Sequence, residues 1–176
     1  MKAEGEVAEI KNSKRTWACV GHKLDYENRS WIQPGQWSTV VWQKENEKSA
    51  LLYESWTKDV QVEEYRLEDA EVVLTAYGTS ARAAKAVTDV MRGRGKKVGL
   101  IRPQTVHPFP FSSFDKLDYT RVKAVLDIEM SIPALMVQDV ERAVSRRCPI
   151  HTCLCSGGNI MRKGQVLEAA EKLFIV

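Results

Sequence analysis

The chain has 176 residues, of which 44% are hydrophobic and 28% are charged, a composition typical of soluble globular proteins. Its net charge of +3, from 26 basic and 23 acidic residues without a long basic tract, does not indicate nucleic-acid binding. A membrane span or a secretory signal is not expected either, because the longest uncharged run is short and polar and the N-terminus is charged, so the expected location is the cytoplasm.

Residues 1–59 are predicted to form an N-terminal arm and linker. Only residues 44–56 carry a helical stripe of apolar side chains, and it is weak. Tryptophans are scattered through the polar remainder: Trp17, Trp31, Trp37, Trp42 and Trp56. Because tryptophan buries a large area at a small cost in entropy and is enriched at interfaces, the arm is expected to pack against another surface. The alternative is that these rings cover the core of the domain that follows.

Residues 60–176 alternate between strand and helix signals. The run Glu71–Tyr77 is short and apolar and ends at Gly78, which predicts a strand buried on both faces. A helix over Arg82–Arg92 follows, with Thr79–Ser80 as its predicted N-cap, since hydroxyl side chains accept hydrogen bonds from first-turn amides.

The same alternation continues along the chain. Further strands are predicted at residues 98–101, 122–129 and 149–155, and further helices at residues 136–146 and 165–174. Strands that alternate with helices of about ten residues predict an α/β fold. The expected architecture has three layers, with a mostly parallel sheet of about five strands and helices on both of its faces.

Ligands and partners of such a sheet gather at the carboxyl ends of its strands. The candidate residues for an anion or interface site at this edge are Gly78, Thr79, Ser80, Arg82, Arg102, His107, Phe109, Phe111 and Glu129. In the first four, helix amides together with Arg82 could bind an anion. The alternative is that Thr79 and Ser80 only cap the helix.

Two other segments of this edge each have two interpretations. The loop Arg102–Phe111 is stiffened by prolines and carries His107, Phe109 and Phe111, which suits an exposed protein interface or a cover over its own sheet. Glu129 ends a buried strand, where a carboxylate is either a functional group or an acceptor for neighbouring backbone amides. We expect Phe109 and Phe111 to lie on an exposed aromatic surface.

Sequence signatures of catalysis or cofactor binding are missing from this chain. It lacks the glycine-rich dinucleotide and P-loop motifs and the G-x-S-x-G nucleophile elbow. Cys153, Cys155 and His151 would share one strand face, but a zinc site there needs a fourth ligand, and small apolar packing is the preferred interpretation. We therefore assign no catalytic, cofactor-binding or metal-binding residue.

A set of short motifs identifies a resemblance to a known family. They are Glu68-Asp69-Ala70, Ala76-Tyr77-Gly78, Thr79-Ser80-Ala81-Arg82, Gly99-Leu100-Ile101-Arg102-Pro103 and Pro108-Phe109-Pro110. Residues 62–111 thereby resemble the α subunit of 2-oxoacid:ferredoxin oxidoreductases, in its C-terminal, transketolase-C-terminal-like domain. Upstream, residues 17–21 and 44–48 look like the linker that leads into that domain. The sequence departs from the family pattern at His107, where tryptophan is common, and after Glu129, where a Gly-Gln pair is missing.

The resemblance implies a role in an assembly. Enzymes of this family convert a 2-oxoacid, coenzyme A and oxidised ferredoxin to acyl-CoA, carbon dioxide and reduced ferredoxin. They use thiamine diphosphate with Mg²⁺ and iron–sulfur clusters, none of which this chain is expected to bind. The chain is then a non-catalytic domain, inactive alone, whose partners are the other domains and subunits and, through the complex, ferredoxin. The motif style points to the branched-chain, 2-ketoisovalerate type. The alternative is a stand-alone module that binds a small anion or has a regulatory role.

Overall fold

The computed structural model describes residues 38–175 of the chain, and three of the tryptophans (Trp17, Trp31 and Trp37) and the linker motif at 17–21 lie outside them. Contacts divide the chain into two compact units, residues 1–51 and 52–176. Helix α1 (Thr39–Ser55) has no buried residue and is supported by a Gln43–Glu47 hydrogen bond of 2.9 Å between side chains four residues apart. The helix predicted over residues 44–56 is confirmed, and it begins five residues earlier.

The second unit continues with a 3₁₀ turn, Trp56–Asp59, and then alternates strands with helices. The strands are β1 (Val62–Tyr65), β2 (Val72–Ala76), β3 (Val98–Pro103), β4 (Ala124–Glu129) and β5 (Ile150–Leu154). The helices are α2 (Gly78–Gly93), α3 (Phe111–Asp115), α4 (Val137–Val144) and α5 (Lys163–Lys172). Each predicted strand and helix is present, and β1 and α3 are additional.

The five strands form one sheet in the order β1-β3-β2-β4-β5. Strands β2, β3, β4 and β5 are parallel to their neighbours, and β1 pairs antiparallel with β3. The predicted mostly parallel sheet is therefore confirmed. Strand β1 was not predicted, because half of its sequence, VEEY, is acidic and it lacks an apolar pattern. Its place is set by backbone pairing to β3, which no local pattern encodes.

Helices cover both faces of the sheet, as predicted. On one face Leu74 packs with Ala84 and Val87 of α2 and with Val166 of α5. On the other face Val73 and Val125 pack with Phe114 of α3 and with Val140 of α4. Because alternate residues of β2 and β4 enter different cores, these strands are apolar over nearly their whole length. This burial on both faces is why the strands could be recognised in the sequence.

The start of α2 differs from the prediction. The helix begins at Gly78, its N-cap is Tyr77, and no side chain caps it. Gly78 has a φ of +54°, a conformation that glycine adopts without a steric penalty, so the chain turns into the helix directly after the strand. The prediction that Thr79 and Ser80 cap the helix is therefore wrong: both lie within its first turn, where Ser80 is buried.

One glycine of the sheet has no room for a side chain, which allows a direct test of the packing. A Cβ on Gly99 would lie 2.8 Å from the carbonyl oxygen of Arg66 and 2.7 Å from the Leu67 Cδ2 atom. Because the backbone carbonyl cannot easily yield, Gly99→Ala is expected to lower the free energy of unfolding by about 1–3 kcal/mol in urea denaturation. Gly93→Ala is the matched control, since nothing lies within 4 Å of its added Cβ. Equal stability of the two variants would contradict the packing of β3.

Candidate functional site

Four parallel strands end at one edge of the sheet, which we call the carboxyl edge. It consists of the ends of β2, β3, β4 and β5 and the segments that follow them: residues 77–78, 104–110, 130–136 and 155–162. Open α/β sheets bind their ligands and partners at this edge. The candidate residues from the sequence lie on these segments, at the ends of the strands, near the start of α2 or, for Phe111, at the start of α3, but they do not form a single cluster.

Glu129 is the anchor of the loop that follows β4. Its carboxylate is fully buried and accepts hydrogen bonds from the backbone amide of Leu135 at 3.0 Å and from that of Val137 at 3.1 Å. The hydroxyl of Ser131 donates a third bond, at 2.8 Å. Of the two interpretations of Glu129, the structure favours an acceptor for neighbouring amides. The carboxylate holds residues 130–136 closed over the end of the strand and lies at the N-terminus of α4.

Asp127 lies two residues before Glu129 on the same face of β4 and is also fully buried. Among residues 38–175, no donor reaches either of its carboxyl oxygens. Burial, followed by the hydrogen bond and negative charge of Glu129, raises the pKa of Asp127 to about 9. Burial opposes ionisation of Glu129 too, but the hydrogen bonds from Asp127 and from the loop outweigh it and lower its pKa. The two carboxyls therefore form an asymmetric pair, with Asp127 neutral and Glu129 charged.

Strand β2 contributes two further polar groups beside this pair. Thr75 is paired in register with Asp127, and its hydroxyl is buried without a partner in the described part of the chain. Tyr77 follows the strand end and is half-buried. Burial, and then the charges of Glu129 and Asp127, raise the pKa of Tyr77. Together these groups form a polar layer under the carboxyl edge, on the face of the sheet that α4 covers.

The loop between β3 and α3 is divided between the core and the surface. Phe109 is only 5% exposed and stacks on Phe114 of α3, with 5.6 Å between ring centroids. The expectation that it lies on an exposed aromatic surface is wrong, because α3 and α4 bring an apolar layer over this end of the sheet. Phe111 is half-buried, edge-on to Phe109 at 5.2 Å and beneath the guanidinium of Arg142. Of the two interpretations of the loop, a cover over its own sheet is the one that the structure supports.

His107 and Arg102 have other partners. The His107 ring makes edge contacts with Tyr53 at 5.6 Å and with Trp56 at 5.9 Å between centroids. Arg102 donates to Glu63 of β1 at 3.0 Å, and Lys85 of α2 bonds the other oxygen of that carboxylate. The nearby ammonium of Lys85 lowers the pKa of Glu63. Arg102 thus supports the pairing of β1, while Gly78, Thr79 and Arg82 are exposed at the start of α2.

Exposed large apolar side chains occur on α1 and, in the part of the described chain that follows it, mainly at the carboxyl edge. Between Trp56 and Ile175 in the described chain, the large hydrophobic residues that are exposed are Val106, Met130, Ile132, Leu135, Ile160 and Ile175. All except Ile175 lie on the segments after β3, β4 and β5. We call these five residues the apolar edge patch. Exposed apolar side chains that share one edge of a fold are candidates for an interaction surface.

The described cysteines are not arranged as ligands of one metal centre. Cys148 packs on the α4 face of the sheet, whereas Cys153 and Cys155 pack on the α2 face. The Cys153 sulfur lies 3.9 Å from that of Met161, and the Cys155 sulfur lies 3.6 Å from the carbonyl oxygen of Asn159. These thiols therefore do not fit an iron–sulfur cluster. Within residues 38–175, no trio of potential metal ligands converges and none of the helices has the length and apolar character to cross a bilayer.

Sequence reasoning singled out Glu129 but missed Asp127, Tyr77 and Ser131. One signal was present, since two acids at alternate positions of an otherwise apolar strand must share a face. The sequence does not show whether that face is buried, and on a solvent-exposed face two acids would not indicate a site. The burial of both carboxyls depends on α4, which lies beyond the strand in sequence.

Comparison with known proteins identifies relatives of this chain. A family model described as pyruvate:ferredoxin oxidoreductase core domain II matches residues 70–166. The ketoisovalerate oxidoreductase subunit VorB of Methanothermobacter marburgensis is 36% identical over 127 residues, covering 72% of this chain and 34% of that protein. The chain thus spans about a third of the length of this curated relative.

Solved structures share the fold at low sequence identity. The 2-oxoglutarate:ferredoxin oxidoreductase from Magnetococcus marinus, with 2-oxoglutarate, coenzyme A and succinyl-CoA bound, matches with a TM-score of 0.64 at 14% identity. The match covers 93% of this chain and 32% of that one. A split-gene transketolase matches with a TM-score of 0.52, also at 14% identity, over 65% of this chain and 41% of that one.

Proposed function

The chain belongs to the pyruvate:ferredoxin oxidoreductase core domain II family, and we propose that it serves as the C-terminal domain of the α subunit of a 2-oxoacid:ferredoxin oxidoreductase. The assembly would convert a 2-oxoacid, coenzyme A and oxidised ferredoxin to acyl-CoA, carbon dioxide and reduced ferredoxin in the cytoplasm. The match to VorB favours 2-ketoisovalerate as the oxoacid. This domain would bind neighbouring domains rather than the reacting groups.

The chemistry would be supplied by other parts of the assembly. In such an assembly, thiamine diphosphate with Mg²⁺ would supply the chemistry at the oxoacid carbon, and iron–sulfur clusters would supply electron transfer. In the described chain, the Glu129 carboxylate already accepts from the backbone amides of Leu135 and Val137. Of the described cysteines, Cys148 lies on one face of the sheet, and Cys153 and Cys155 lie on the other. We therefore assign no cofactor ligand and no catalytic residue to residues 38–175.

The observation that carries the proposal is the apolar edge patch. Its side chains Ile132 and Leu135 are 63% and 62% exposed. The loop that carries them is held in place by the hydrogen bond from the Leu135 amide to the buried Glu129 carboxylate. A preformed loop loses little entropy when a partner binds, so apolar side chains on it contribute most of their burial to affinity. We propose that the patch docks against the remaining α-subunit domains. The proposed interface is therefore centred on the apolar edge patch. Phe109 and the start of α2 at Gly78 are not part of its centre.

The double variant Ile132→Ser, Leu135→Ser is expected to weaken this docking about thirty- to several-hundredfold, because each apolar side chain contributes on the order of 1–2 kcal/mol when buried. The melting temperature should stay close to that of the unchanged chain, since exposed positions carry little stability. Affinity for the thiamine-binding portion of the subunit, measured by interferometry, checks the first expectation, and calorimetry checks the second. Ile175→Ser is the matched control, as Ile175 is 82% exposed but lies outside the patch. Unchanged affinity of the double variant would contradict docking through the patch.

A second experiment tests the proposed activity. The purified chain should show no coenzyme-A-dependent reduction of a dye or ferredoxin with 2-ketoisovalerate. Addition of the thiamine-binding and iron–sulfur parts of the assembly should produce turnover, and their activity without this chain should be lower. Turnover by the chain alone, or no effect of the chain on the assembly, would refute the proposal. Comparison of 2-ketoisovalerate with pyruvate and 2-oxoglutarate then identifies the preferred oxoacid.

A further inference from the structure

The buried carboxyl pair of β4 has a consequence for the loop at the carboxyl edge. Asp127 and Glu129 are both 0% exposed and lie on the same face of the strand. Two ionised carboxylates cannot remain adjacent in such a position, because burial and mutual repulsion both oppose the second charge. One proton must therefore be held by the pair in the folded chain.

The hydrogen bonds decide which carboxyl holds that proton. Both oxygens of Glu129 already accept bonds, from the amides of Leu135 and Val137 and from the hydroxyl of Ser131. A proton on Glu129 would compete with these donors. Asp127 accepts from no donor in the described chain, and it gains a hydrogen-bond partner when it is protonated and donates to Glu129.

We propose that Asp127 and Glu129 form a proton-dependent clamp: the shared proton keeps the loop 130–136 fixed on the carboxyl edge, and its loss to solvent at alkaline pH releases the loop. While Asp127 is protonated, it adds a fourth hydrogen bond to the Glu129 carboxylate. Once Asp127 is ionised, the repulsion drives one carboxylate towards water. Since Glu129 is the acceptor for the loop amides, its departure leaves Leu135 and Val137 without their partner.

The surroundings of the pair contain few other charges. On β2, Tyr77 is the titratable neighbour, and its pKa is raised by burial and by the pair itself. On β5, the register partners are Thr152 and Leu154, which carry no charge. The nearest ion pair of α4, Arg142 with Asp139 at 3.3 Å, is on the helix surface. The raised pKa of Asp127, to about 9, agrees with a proton retained through neutral pH. The clamp acts within this chain, whichever assembly the chain joins.

Carbon-13 NMR of the full chain tests the clamp directly. The side-chain carboxyl carbon of Asp127 is expected to titrate with a midpoint near 9, and the amide signals of Leu135 and Val137 are expected to move with the same midpoint. An Asp127 midpoint in the ordinary acidic range of carboxyls would overturn the shared proton. Loop amides that do not respond while Asp127 titrates would overturn the coupling.

Two variants test the roles of Asp127 and Glu129 separately. In Asp127→Asn, the amide still donates to Glu129, so the alkaline transition of Leu135 and Val137 should disappear while their signals at neutral pH are retained. In Glu129→Leu, no acceptor remains for the loop donors, so protection of the Leu135 and Val137 amides from hydrogen exchange should be lost at every pH. If Asp127→Asn retains the alkaline transition of the loop, another group controls it and the proposal fails. Because the titration is also read on the unchanged chain, a variant that does not fold still leaves a decisive result.

Discussion

Phe109→Ala is expected to lower the free energy of unfolding by about 3–5 kcal/mol, the range for removal of a buried aromatic ring. The ring is 5% exposed and lies between Phe111 and Phe114, in the core that joins the sheet to α3 and α4. Its removal leaves a cavity that the proline-rich loop cannot easily fill by collapse. Urea unfolding followed by circular dichroism measures the loss.

Val106→Ala is the matched control for this loss. Val106 lies on the same loop but is exposed, so its truncation should change stability by no more than about 0.5 kcal/mol. Phe111→Ala should fall between the two, since that ring is half-buried. If Phe109→Ala abolished docking to the partner domains while the unfolding midpoint stayed constant, the ring would be an interface residue and its placement in the core would be wrong.

Asp127→Asn is expected to stabilise the chain at neutral and alkaline pH and to remove a large part of its pH dependence. In the folded chain the pKa of Asp127 is raised to about 9 from its ordinary value of 3.8. Between these two values the folded state retains a proton that the unfolded state has lost. Each rise of one pH unit in that window therefore lowers the free energy of unfolding by about 1.4 kcal/mol.

The stabilising contribution of the protonated group is fully present below the unfolded pKa and is lost as the pH rises towards 9. Asparagine does not titrate, so the stability of the variant relative to the unchanged chain should grow by about 4 kcal/mol between pH 5 and pH 8. Unfolding curves at several pH values measure this difference. Thr75→Val is the control, because it alters the neighbouring buried side chain without changing its charge and should keep the original slope. Parallel slopes for Asp127→Asn and the unchanged chain would mean that Asp127 is ionised in the fold.

The amino-acid sequence by itself determined the architecture of the second unit. Strands such as residues 72–76 are apolar throughout because both of their faces are buried, and Gly78 ends the strand where a positive φ is needed. These are local signals: each one depends on the residues within a few positions of it. The family motifs are equally local, and they identified the family from residues 62–111 alone. Glu129 could also be placed at a strand end, since the apolar run stops there.

Only the tertiary structure decided which side chains of the carboxyl edge are buried. Phe109 and Ile132 are both apolar and both follow a strand, yet Phe109 is in the core and Ile132 is exposed. Likewise the charged edge strand β1 is fixed by pairing to β3, and Asp127 becomes neutral only because α4 and the loop 130–136 exclude water from it. Burial of this kind is set by elements distant in sequence, because water is excluded by whichever helix or loop packs above a residue and not by the residue's neighbours along the chain.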